Sequence, residues 1–200
     1  MNSKLFNEIF KASISRYHIK NDITAKLSSK YTENTIEYLL DKKNWIDTVQ
    51  WHLEDVIRNP EIEPEKALIF KRAIDKSNQD RTDLVELIDD YFFAEFKNIK
   101  ANNDAFIATE TPAWAIDRLS ILNLKIYHMH EESEREDADA EHRAKSTFKL
   151  KVLLQQGEDL SLAINQLFEN IKSGKSIIKT YKQMKMYNDP STNSFLRKAE

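Results

Sequence analysis

The sequence predicts an all-α protein, an elongated bundle of five to six helices, and three observations carry that reading. Only two Gly and four Pro punctuate 200 residues, too few for the turns of a sheet, and no strand is expected. Good helix formers, chiefly Leu, Lys, Glu and Ala, fill long stretches of the chain. Apolar residues recur at spacings of three and four instead of alternating. A chain of this length can bury well over half of its unfolded surface without a disulfide or a metal, and suits a single helical domain over residues 1–200.

Ser3 is placed to cap a first helix whose face is Leu5, Phe6, Ile9, Phe10 and Tyr17. The pattern fades between Lys20 and Lys30, so residues 1–40 read as a peripheral helix and its connection. A second helix runs from about Thr32 to Arg58, with a bend near Asp41 to Asn44. Pro60 and Pro64 end it and start the third, Glu65 to Lys97. If continuous, the third helix spans about 50 Å at about 1.5 Å per residue. Ser77 followed by Asp80 offers a competing N-cap that would divide it.

Thr111 before Pro112 starts a fourth helix, with the hydroxyl as cap and proline at the first helical position, running to about Glu134. Glu131 to His142 holds seven carboxylates among twelve residues and reads as a solvated helix end and connection. The fifth helix carries Leu150, Leu153, Gly157, Leu160, Ile164, Leu167 and Ile171 in heptad phase, which places Gly157 inside a continuous helix against a neighbour. Gly174 is its expected stop. A short last helix would present Ile177, Ile178, Tyr181 and Met184 before Asn188, and residues 190–200 are expected to form a mobile tail.

A net charge of -3 with 32% charged residues describes an ordinary surface and argues against nucleic-acid binding. The absence of cysteine excludes disulfides and thiolate chemistry. Lys and Glu interrupt the apolar residues of the N-terminus, which is therefore not a signal peptide, and no apolar run approaches a membrane span. The cytoplasm is the expected location.

Several polar groups fall on apolar stripes. Arg81, with Ser77 and Asn78, sits at the centre of the stripe Phe70, Ile74, Leu84, Val85, Ile88 and Phe92, where a guanidinium needs carboxylate or phosphate partners. His52 shares a face with Trp45, Val49 and Val56, and Asp55 lies at its edge. A histidine there is more often bonded to a neighbouring carbonyl or carboxylate than used as a ligand or proton carrier. The fourth helix is apolar on two sides, because Trp114, Asp117, Ile121, Leu124 and His128 lie opposite its core face, flanked by Arg118 and Lys125. The ladder Asp80, Asp83, Glu86 and Asp90 reads as a solvated face, and the lysines from Lys172 to Lys182 likewise.

The strings NWIDTVQWHLEDVIR, IDKSNQDRTDLVELID, TETPAWAIDRLSIL, KIYHMHEE and YKQMKMYNDPS, spread from Asn44 to Ser191, resemble a bacterial family classed as a domain of unknown function. The resemblance implies a mainly helical, soluble bacterial protein and carries no activity.

Taken with these residues, the sequence points to a polar pocket walled by Trp45, Trp51 and Trp114 and containing His52, Asp55, Arg81, Asp117, Arg118, Lys125 and His128. The excess of cationic groups favours a small anionic, phosphate-bearing metabolite. His52 or His128 would act as acid or base, and Arg81 and Arg118 would stabilise negative charge. No cofactor and no metal ligand are called for. The competing class is an interaction or structural protein, in which these charges form buried pairs that fix helix register and the seam around Gly157 forms a homo-oligomer.

Overall fold

In a computed structural model, which describes residues 1–184, 186, 189–195 and 197, five helices and one pair of two-residue strands follow one another. Helix α1 is Ser3–His18, capped by Asn2, whose side chain accepts the Leu5 N–H at 3.2 Å. The cap is thus one residue earlier than expected, and the Ser3 N–H donates instead to Asn165 of the last helix. Helix α2 is Ile36–Ile57, capped by Thr35, which accepts the Tyr38 N–H at 3.3 Å. The bend expected near Asp41 is absent, because the polar residues there enter a buried layer of ion pairs and have no need of a loop.

Helix α3, Pro64–Phe96, runs unbroken through Ser77, whose hydroxyl donates to Gln50 of α2 at 3.1 Å and caps nothing. Helix α4 is Pro112–Glu134, capped by Thr111 as its sequence demands. Helix α5, Ala140–Lys172, is capped by Asp139 and continues through Gly157.

Helix α4 touches each of the other four helices and lies most extensively along α5. This placement accounts for its two apolar sides. Phe6, Ile9 and Phe10 of α1 are fully buried against Val85, Ile88, Leu119 and Phe168, so α1 belongs to the core and is not peripheral. Each such side chain contributes roughly 1.5–3 kcal/mol relative to exposure. The α5 seam closes within the chain: a Cβ on Gly157 would meet Ile126 Cδ1 of α4 at 3.4 Å. Part of the seam is thus covered by α4, while Leu150, Leu153, Leu160 and Leu167 are half-buried.

The strands correct two expectations. Phe106–Ile107 (β1) and Ser176–Ile177 (β2) pair in parallel, and the Phe106 N–H donates to the Lys175 carbonyl at 2.9 Å. Gly174, at φ +71, turns the chain out of α5 toward β1. The last helix expected from Ile177 onward does not form; Tyr181 and Met184 are exposed and supply no face to bury. Of the expected tail, residues 196 and 198–200 lie outside the described set, as does Asn188. No helix among the described residues is long and apolar enough to cross a membrane.

Candidate functional site

Two polar constellations lie side by side along α2 and α4. The first is an ion network. Lys43 of α2 is fully buried and bridges Asp47, one turn on, and Asp117 of α4, whose Oδ1 lies 2.8 Å away. Arg81 of α3 forks onto Asp117, Nε to Oδ1 at 2.9 Å and Nη2 to Oδ2 at 2.6 Å, and its Nε is 3.5 Å from Asp47. The Ser120 hydroxyl donates to Asp47 at 2.6 Å, and Asn44 donates to Ser120 at 2.9 Å. Burial pushes both carboxyls up, but Lys43 and Arg81 outweigh it at Asp117 and hold that group below its ordinary value. At Asp47 burial prevails over Lys43 and the group is raised.

The second is a triangle of histidines. His18 ends α1, His52 lies in α2 and His128 in α4, with ring centroids 5.2, 5.2 and 5.5 Å apart. One ring nitrogen from each lies within 4.8 Å of the other two. Aromatic faces hold the rings: Tyr17 stacks on His52 at 5.1 Å, Trp51 stacks on His128 at 4.9 Å, and Tyr127 leans on His18 at 4.3 Å. Burial lowers the pKa of both His52 and His128, and their mutual repulsion adds to this at His52. The same burial raises the Tyr17 phenol to about 12.

Three clefts open on these groups. One of about 310 Å³ is bounded by Trp51, Asp55, Arg58 and Arg81. A second, of about 590 Å³, shares Trp51 and Asp55 with it and adds Lys125, His128 and Phe148. The third, of about 690 Å³, lies between α4 and α5 and is bounded by Arg81, Asp117, Arg118 and Lys125.

The residues expected to share one pocket are thus distributed. Trp51, Asp55, Lys125 and His128 meet in the second cleft, while Arg81, Asp117, Arg118 and Lys125 meet in the third. His52 stands behind His128 in the triangle. Trp45 is buried edge-on against Tyr17 with Arg16 over its ring, and Trp114 bounds a separate cleft with Thr109 and Lys179. Three tryptophans therefore do not wall a common pocket. Trp114 precedes His128 by four helical turns, about 21 Å at about 1.5 Å per residue. Trp45 and Trp51 are six residues apart and point to different sides of α2.

Sequence reasoning missed His18, Lys43, Asp47 and Ser120. Lys43 and Asp47 at i and i+4 were a legible pair; His18 had no partner within reach on its own helix. Imidazoles from three different helices leave no spacing motif, unlike two ligands on one helix turn.

Residues 37–180 match the model of the family described as Protein of unknown function (DUF4254). The chain belongs to that family. The match takes in α2 to α5 of this DUF4254 member, with His52, His128 and the whole ion network, while α1 and His18 precede it. No curated protein and no solved structure matches the chain.

Proposed function

We propose that this protein binds a small anionic, phosphate-bearing ligand in the cleft between α4 and α5, against Arg81. One observation carries the reading. Asp117 orients Arg81 through Nε and Nη2, while no hydrogen bond or ion pair among the described residues engages Nη1, and a quarter of the side chain (25%) is exposed. A guanidinium held in this way presents a fixed donor edge to phosphate.

Lys125 forms no ion pair among the described residues, and Arg118 pairs with Glu110 at 2.8 Å on the surface. Such an exposed pair is worth at most about 1 kcal/mol and yields readily to a better anion. Burial pushes Asp47 up while Lys43 and Arg81 hold Asp117 down, so Asp117 is the carboxylate that anchors both cations. Lys125 also lines the cleft that holds His128. The setting we infer is the bacterial cytoplasm.

The test is calorimetric titration of the full chain with inorganic phosphate and with uridine diphosphate glucose. Saturable binding that Lys125→Ala weakens supports the reading, since that side chain is exposed and dispensable for folding. Absence of any binding at millimolar concentration overturns it.

The second reading is a non-enzymatic interaction or structural protein, possible because Lys43, Arg81, Asp47 and Asp117 close on one another and tie α2, α3 and α4 in register. It expects self-association measurable by light scattering and no response to anions.

A further inference from the structure

We propose that His18, His52 and His128 form a binding site for a divalent transition-metal ion of the zinc class, independent of the anion cleft. Three features of the triangle support it, beginning with distance. Two tetrahedral ligands at about 2.0–2.1 Å from one ion lie about 3.3 Å apart. The Nε2 atoms of His18 and His52 are 3.2 Å apart. Two of the three nitrogens, which share a hydrogen bond in the free protein, already hold the separation that a shared ion imposes, and a ring nitrogen of His128 lies within 4.8 Å of both.

The second feature is the state of the outer nitrogens. His18 Nδ1 lies 2.8 Å from the Ile14 carbonyl, and His128 Nδ1 lies 3.0 Å from the Glu131 carboxylate. Both partners are acceptors, so each Nδ1 donates and each Nε2 keeps a lone pair, that of His18 facing His52 Nε2 at 3.2 Å. A carbonyl or carboxylate behind the ring is the arrangement that fixes tautomer and orientation in metal-bound histidines. His128 Nε2 is moreover buried without a hydrogen-bond partner. An orphaned acceptor of this kind calls for an explanation, and an ion supplies one.

The third feature is the setting. The rings come from three helices, and the stacked Tyr17 and Trp51 together with the tilted Tyr127 hold their planes. Imidazole donors without thiolates suit zinc, copper, nickel or cobalt and not calcium or magnesium. Three protein ligands, and not four, leave a coordination position open, as in catalytic sites and unlike closed structural ones. His128 borders the cleft of about 590 Å³ shared with Trp51 and Asp55, which gives that position a route to solvent and to a small molecule. Packing explains the stacked rings and the His52 ring occupies the inward nitrogen of His18, but neither accounts for the buried His128 Nε2, which has no partner.

The experiment uses the full chain without a histidine tag, stripped with a chelator and titrated with Zn²⁺ against a chromogenic competitor. One ion per chain is expected. His18→Ala, His52→Ala and His128→Ala should each weaken it by more than about 100-fold, and Glu131→Gln by about 10-fold or more. His130→Ala, an exposed histidine outside the triangle, should change nothing. Co²⁺ in place of Zn²⁺ should give visible bands of a four-coordinate site, which keeps the proposal testable where an alanine variant folds poorly. Wild-type protein that binds neither Zn²⁺ nor Co²⁺ below millimolar, or whose binding survives all three substitutions, overturns it. Phosphate binding by the stripped protein reports on the anion cleft separately, so failure of one reading is distinguishable from failure of the other.

Discussion

Arg81 grips both oxygens of Asp117, at 2.9 and 2.6 Å, and this fork joins α3 to α4 across the bundle. Removing it leaves Asp117 to Lys43 alone. Arg81→Met should therefore destabilise by about 1 to 3 kcal/mol in denaturant unfolding, less than an uncompensated buried charge would cost, because Lys43 still pairs with Asp117. Added phosphate should raise the wild-type midpoint and leave that of the variant where it is.

Asp89 of α3 accepts the Ala113 N–H at 3.1 Å and the Thr111 hydroxyl at 2.6 Å, and so caps a helix other than its own. Asp89→Ala strips the buried start of α4 of an acceptor and should cost about 1–3 kcal/mol. Asp89→Asn keeps an acceptor oxygen and should lose less. Urea midpoints of the two variants check the order.

Gly157 packs beside Ile126 with 3.4 Å available to a Cβ, an ordinary contact. Gly157→Ala should stabilise by about 0.5–1 kcal/mol, the helical advantage of alanine. Gly157→Leu should overpack the α4–α5 seam and destabilise by about 1–3 kcal/mol. Thermal melting that lowers the alanine variant would show the seam to be tighter than described.

The depressed pKa values of His52 and His128 have a definite sign for stability in chelator-treated protein. The groups facing them are His18 from α1, Asp55 beside His52 and Glu131 on α4. Because the folded values lie below the unfolded one of about 6.5, the neutral rings favour folding. That contribution is complete above the unfolded pKa and is lost as pH falls through the folded values. Urea midpoints should drop between pH 7.5 and pH 5, and His52→Phe with His128→Phe should flatten the profile.

Local signals placed the elements well. Thr111 and Pro112 named the start of α4, and the unbroken phase across Gly157 named α5 as one helix, because caps and periodicity depend on near neighbours. The segment after Gly174 misled for the converse reason. Ile177, Ile178, Tyr181 and Met184 have helical spacing, but the backbone of Ile177 is claimed by Ile107, far away in the chain. Arg81 advertised itself by lying on an apolar stripe, whereas Lys43 hid in a stretch of α2 whose many polar residues resembled a bend. His18 was silent, since nothing within its own helix shows that His52 and His128 arrive beside it.

The β1–β2 clip has a kinetic consequence. Its partners, Phe106 and Ser176, are separated by the whole of α4 and α5, so the ring they close carries a large entropic cost and can close only once those helices have docked. Contacts that close so late are expected to be absent from the rate-limiting barrier of folding, the condition under which an interaction slows unfolding more than it speeds folding. Gly174 is the point of leverage, because a Cβ there would meet the Lys100 carbonyl at 2.6 Å. Gly174→Ala is therefore expected to speed unfolding and to leave the folding rate nearly unchanged, a latch-like pattern that stopped-flow kinetics would read.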